Sequence, residues 1–212
     1  MNPETEQDQK AKRRRRRIRP LRSFLLRAFS LALVLYALFF HIVGLTTART
    51  GDMYPRIDAG DMVLFYRLDD RWKAQDVVVI DKSVNSDYSA VRVPTREKAW
   101  WRRVMDWIGF ADPEDPSVTR FICRVVAGPG DTVEVTDSQR LVINGNLMIE
   151  SGIFYTTGAY AGYTEYPVRL GENQYFVMAD FRNGGVDSRF FGPVSGAEIC
   201  GTVITIIRRN NL

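Results

Sequence analysis

Ten lysines and arginines fall within the first 27 residues, and an apolar run from Ala28 to Leu45 follows directly. This junction limits the chain's folding options more than any other feature. Eighteen helical residues at 1.5 Å each span ~27 Å, close to the ~30 Å hydrocarbon core of a bilayer. The run therefore predicts a transmembrane helix over 28–45, in which His41 is the one polar interruption that matters. A cleavable leader has a shorter apolar stretch and a small-x-small exit, of which Thr46-Thr47-Ala48 is a weak version. Lysine and arginine crowd the cytoplasmic flank of a span. The expected layout is a basic cytoplasmic tail (1–27), the span, and an extracytoplasmic domain (46–212) at the cell membrane.

Charge is partitioned accordingly. The tail sets ten basic residues against Glu4, Glu6 and Asp8, a net +7, while the whole chain is +4, so residues 28–212 carry −3. A nucleic-acid binder needs its positive charge on the folded domain, and nucleic acid is not an expected partner. The two cysteines, Cys123 and Cys200, make neither a disulfide scaffold nor a metal-ligand pattern, and no metal or cofactor is expected. Both pairing and free thiols remain open for them. The one histidine lies in the apolar run, so a Ser-His-Asp or Cys-His site in the domain has no imidazole base.

Beyond the run the pattern is of short strands. Met62–Tyr66, Val77–Ile80, Phe121–Ala127, Thr132–Val135, Tyr175–Met178 and Thr202–Ile207 are apolar or alternating stretches. Pro129-Gly130-Asp131 marks a turn, and Asn144-Gly145 within Leu141–Ile149 marks a two-residue hairpin. These signals predict a mostly β domain, an antiparallel barrel or sandwich. Residues 82–120 are the least strand-like and read as an insertion or cap. Within them Trp100, Trp101, Val104, Met105, Trp107 and Ile108 follow the spacing of an amphipathic helix, either packed on the β core or lying at a membrane interface.

Three longer motifs carry more information than any periodicity. They are Gly51-Asp52-Met53-Tyr54-Pro55, Arg124-Val125-Val126-Ala127-Gly128-Pro129-Gly130-Asp131, and Met178-Ala179-Asp180-Phe181-Arg182-Asn183-Gly184-Gly185-Val186-Asp187-Ser188-Arg189. Each alone reads as a turn, a hairpin lead-in or a fold-holding ion pair. In this order, behind an apolar run, they resemble the type I signal peptidase family from about Thr50 to Ile207. That resemblance implies a signal-peptidase-type β fold near the outer bilayer surface and a serine endopeptidase with a lysine general base. The serine stands before the methionine of a Ser-Met-x-Pro motif, and the lysine before the Arg-Val of the Pro-Gly-Asp block. The matching residues here are Asp52 and Cys123.

Both halves of the dyad are therefore replaced. A neutral thiol is a poor base, and a carboxylate nearby opposes its ionisation. Asp52 attacking an amide would give a reactive anhydride. A two-carboxylate site would need Asp180 or Asp187 as a second acid. The family's Gly-Asp-Asn-Arg reads Ala179-Asp180-Phe181-Arg182, and its following Asn-Ser reads Gly184-Gly185. Ser188 remains, where the resemblance implies a serine supporting the lysine. Arg124, Gly130, Asp131, Asp180, Arg182, Asp187 and Arg189 read as scaffold, and Met53, Tyr54, Pro55 and Ile122 as the lining of a groove. Family members with aspartate at the serine position resemble accessory proteins of sortase-dependent pilus assembly in Gram-positive bacteria. The expectation is an inactive member acting in surface protein or pilus assembly, with the membrane, an extended peptide or pilin subunit, and a sortase as partners. The alternative is an active signal peptidase I removing signal peptides.

Overall fold

The computed structural model describes residues 22–83 and 118–208, and the chain divides into two compact units, Met1–Ile42 and Val43–Leu212. In the first unit residues 22–37 are α-helical and Leu38–Ile42 form a π-helical turn containing His41. Phe29, Leu31, Leu33, Val34, Leu35 and Tyr36 are all exposed, so apolar side chains surround the helix. Among the described residues no helix is long and apolar enough to cross a membrane. The apolar run ends differently from the expected span. Val43–Leu45 belong to strand β1 (Val43–Thr47), because an apolar run is equally compatible with a strand when a partner lies alongside. That partner is β2 (Met62–Tyr66), with Leu45 opposite Leu64.

The second unit contains a seven-stranded and a four-stranded sheet. The larger one is built from β1, β2, β3 (Val77–Ser83), β4 (Val118–Ala127), β9 (Gln174–Met178), β10 (Val194–Ser195) and β11 (Ile199–Ile207), in the order β1-β2-β11-β3-β4-β9-β10. All its pairings are antiparallel. The smaller sheet has β5 (Thr132–Val135), β6 (Leu141–Ile143), β7 (Asn146–Leu147) and β8 (Val168–Arg169). Its β6–β7 hairpin turns on Asn144 (φ 53°) and Gly145 (φ 77°), the paired positive φ that a two-residue type I′ turn demands.

Strands β3 and β4 continue through Lys82–Ser83 and Val118–Arg120, where Ser83 pairs with Val118, so the connection between them is 84–117. That is shorter than the expected insertion of 82–120. The amphipathic stretch with Trp100, Trp101 and Trp107 lies outside the described residues.

Strand alternation decides what the centre of the large sheet presents. Along β4, Phe121, Cys123 and Val125 join one core cluster with Val78, Ile80, Val177 and Val186. Ile122 joins a separate cluster with Met53, Ile57, Val63, Phe65 and Val79. Neighbouring residues of one strand thus serve two cores, as the two-residue period requires.

Candidate functional site

Three segments meet at the site: the loop after β1, the middle of β4, and the loop after β9. The loop after β1 is closed by short-range bonds, Tyr54 N–H to Gly51 C=O (3.0 Å) and Ile57 N–H to Met53 C=O (3.0 Å). It buries Asp52 and Met53 and leaves Tyr54 and Pro55 exposed. The loop after β9 is tied to it by Phe181 N–H donating to the Asp52 carbonyl at 2.8 Å.

Asp52 and Cys123, the two residues that the resemblance matches to the dyad, are joined through one residue. The Asp52 Oδ1 accepts the Val186 N–H at 3.3 Å, and the Cys123 thiol lies 3.7 Å from the Val186 carbonyl, to which it donates. The other carboxylate oxygen, Asp52 Oδ2, accepts from the Thr50 hydroxyl. Asp52 is 6% exposed and Cys123 is fully buried. Both cysteines are free.

Burial pushes the Asp52 carboxyl above its ordinary value, as does the nearby Asp187, while the bonds from Thr50 and Val186 pull it back. Burial raises the Cys123 thiol much further, with Asp187, Asp52 and Asp180 adding to the rise and Arg189 opposing it. Cys123 is therefore a neutral thiol, unsuited to take a proton from a nucleophile.

The pH consequence concerns Asp52. Its folded pKa lies above its unfolded one, so the folded state retains the proton longer. The stability from this group is complete below the unfolded pKa, near ~3.9, and is lost as pH rises through the folded value. Asp52→Asn is neutral throughout and keeps an acceptor for Val186. It is expected to be more stable than the parent at neutral pH by about 1 kcal/mol, with the gain vanishing toward pH 4. Urea melts at pH 4 to 8 measure the difference.

Neither potential second carboxylate is available to Asp52. Asp180 is held by Arg124, Nε to Oδ1 at 2.8 Å and Nη2 to Oδ2 at 2.6 Å, and Arg124 Nη1 reaches the Gln75 carbonyl at 3.0 Å. Asp187 accepts from Arg189 Nε (2.9 Å) and Nη2 (2.8 Å), from the Arg189 N–H (2.9 Å) and from the Ala179 N–H (2.9 Å). Arg182 donates to the Ala179 carbonyl (2.7 Å), the Thr157 hydroxyl (2.6 Å) and Glu150 (2.6 Å). Ser188 Oγ accepts the Val177 N–H at 3.0 Å, an anchoring bond between the helical turn Ser188–Phe191 and β9. Asp131 accepts from Gly128 N–H (2.9 Å) and Asn144 Nδ2 (2.7 Å), closing the turn at Gly130.

Of the expected groove residues, Met53 and Ile122 share the wall of a cavity of about 10 Å³ with Thr47, Ala48, Thr50, Asp52, Ile57 and Arg120. That volume is enough for about one water. Tyr54 and Pro55 are not among its lining. Sequence reasoning missed Thr50 and Val186. Thr50 carried a usable signal, a hydroxyl two residues before the replaced serine. Val186 acts only through its backbone and carried none.

The family model for signal peptidase, peptidase S26, matches residues 21–207. A signal peptidase I of Pseudomonas aeruginosa is 29% identical over 46% of this chain and 43% of its own length. A signal peptidase I of Mycobacterium tuberculosis is 24% identical over 83% of this chain and 66% of its own length. The chain thus matches under two thirds of either relative. A solved signal peptidase I from Enterococcus faecalis V583 is 22% identical, over 64% of this chain and 97% of that one, with a TM-score of 0.38, a loose likeness. The chain belongs to the signal peptidase family, in the type I group.

Proposed function

We propose that this family member holds an extended peptide at the membrane without cutting it. One observation carries the reading: Asp52 and Cys123 are both committed to the backbone of Val186, one through its N–H and one through its C=O. A serine–lysine site needs a free nucleophile beside a base of suitable pKa, and here a neutral buried thiol occupies the base position. The apolar run with side chains exposed around its helix supports a membrane anchor, and the basic tail supports a cytoplasmic N-terminus. A translocated protein, such as a pilin subunit still embedded by its own apolar helix, is the class of client such a groove would meet. A sortase is the matching partner enzyme, and the role is accessory, in surface protein or pilus assembly.

The direct test uses the full chain in lipid nanodiscs with a fluorogenic peptide carrying small residues at its cut site. Saturable binding with no product is expected. Product that disappears in Asp52→Ala or Cys123→Ala would overturn the reading. In cells, deletion of the gene is expected to stop polymerisation of a surface fibre while secretion continues.

A second reading, an active signal peptidase, is favoured by one contact. The Thr50 hydroxyl donates to Asp52, whose carboxyl is held above its ordinary value by burial. Thr50 Oγ would attack the scissile carbonyl carbon as Asp52 takes its proton. Asp52 would return that proton to the amine as the C–N bond breaks, and water would then hydrolyse the ester. On this reading cutting is lost in Thr50→Val and kept in Thr50→Ser, a pattern that the serine–lysine alignment does not predict.

A further inference from the structure

Behind the loop that carries Asp52 lies a larger hollow, of about 320 Å³, lined by Met53, Arg56, Ile57, Gln75, Asp76, Val77, Arg124, Thr202, Val203 and Ile206. Met53 and Ile57 also border the small cavity beside Asp52, so these two side chains separate the two spaces. The small one takes about one water, whereas the hollow falls in the ~300–1,000 Å³ range of ligand pockets.

Its lining narrows the occupant. Met53, Ile57, Val77, Val203 and Ile206 form an apolar set contributed by three segments. The charges around it balance. Arg124 is neutralised by its two bonds to Asp180, and its remaining bond goes to the Gln75 carbonyl. That leaves one cation, Arg56, and one anion, Asp76, whose Oδ2 accepts the Lys73 N–H at 2.8 Å. An apolar set, one donor-rich and one acceptor group and no net charge match a neutral, aliphatic, amide-bearing group.

We propose that this hollow is a second binding site, and that it takes one bulky aliphatic residue of a peptide together with its two flanking amides. The aliphatic side chain lies against Val77, Val203 and Ile206. The amide N–H faces Asp76, and the carbonyl faces Arg56. Occupancy of the hollow is independent of whether the Asp52 groove holds or cuts its peptide.

The test uses the full chain in lipid nanodiscs with labelled Met and Ile methyl groups and N-acetyl-leucinamide as probe. Saturable shifts at Met53, Ile57 and Ile206 are expected, with a Kd of about 1 mM. N-acetyl-alaninamide is expected to bind at least about tenfold more weakly, having lost most of the aliphatic surface. N-acetylleucine, an anion, and leucinamide, a cation, are each expected to bind more weakly than the neutral probe. Val203→Trp fills the hollow and should abolish the shifts. Absence of saturable shifts at these methyls in the parent overturns the site, as do unchanged shifts in Val203→Trp. Tighter binding of the anion or the cation overturns the assigned chemistry. Ile206 lines the hollow and not the cavity beside Asp52, so its shifts report this site alone, and failure of either reading leaves the other standing.

Discussion

Asp187→Ala is expected to lose about 3–5 kcal/mol of folding stability, the typical penalty for stripping one partner from a buried ion pair. Asp187 and Arg189 are 0% and 1% exposed. One carboxylate serves as helix cap to the Arg189 N–H, as acceptor for the Ala179 N–H and as counter-ion to the guanidinium. Its removal leaves two backbone donors and a buried cation without their acceptor. The Arg189 bonds to the Gly158 and Arg182 carbonyls do not supply a negative charge. Nor does the Tyr160 ring, 4.5 Å from the guanidinium, carry a full one. Replacing both partners in Asp187→Leu/Arg189→Met removes the unpaired charge and should recover a large part of the loss. Urea denaturation of the parent, the single variants and the double variant measures this as a coupling energy. Additive losses, with no recovery in the double variant, would mean that the pair is not the unit that stabilises this corner.

What the sequence made legible followed the range of the interaction concerned. The Asn144-Gly145 hairpin was readable because its conformation is set by the turn residues themselves. Strands β2, β5 and β9 were readable from short alternating or apolar runs. Strand β1 was hidden because Val43–Leu45 continue an apolar helical run, and only pairing with β2 marks them as extended. The two-residue strands β8 and β10 are too short for any period and exist by virtue of their partners β5 and β9. At the site, the motifs singled out Asp52, Cys123, Asp180, Arg182, Asp187 and Arg189 without saying who pairs with whom. Arg189 meets Asp187 two positions away, but Arg124 meets Asp180 across 56 positions, and Arg182 finds Glu150 and Thr157 in the long connection before β8. Val186, which links Asp52 to Cys123, is invisible to motif reading because only its N–H and C=O take part.

Gly185→Ala is expected to destabilise the domain by about 1–3 kcal/mol, the usual range for overpacking, and to disturb the Asp52–Val186–Cys123 link with it. A Cβ at Gly185 would fall 2.2 Å from the Ala179 Cβ and 2.7 Å from the Phe181 carbonyl oxygen. Neither neighbour is a flexible chain end. Ala179 is fully buried on the exit of β9, and the Phe181 carbonyl accepts the Gly185 N–H at 2.8 Å. On the resemblance carried by the third motif, glycine stands in the family where Ala179 stands here and serine where Gly185 does, so this chain carries the Cβ on the opposite side of the same contact. Ala179→Gly should therefore relieve the closer of the two clashes and recover part of the loss in Gly185→Ala, while the Phe181 carbonyl contact remains, and glycine at 179 alone costs some stability through the lost methyl and added chain freedom. The same exchange bears on chemistry. A serine Cβ at 185 would stand 3.6 Å from the Asp52 carbonyl oxygen, bringing a hydroxyl close to the former nucleophile position. Conversion of Asp52 to serine and Cys123 to lysine alone leaves that hydroxyl absent. The four-site variant Asp52→Ser/Cys123→Lys/Ala179→Gly/Gly185→Ser is expected to cut a small-residue peptide faster than the two-site variant. Thermal melts establish that each variant folds, and peptide cleavage ranks them. Equal rates for the two variants would show that the Gly185 contact governs packing without governing the chemistry.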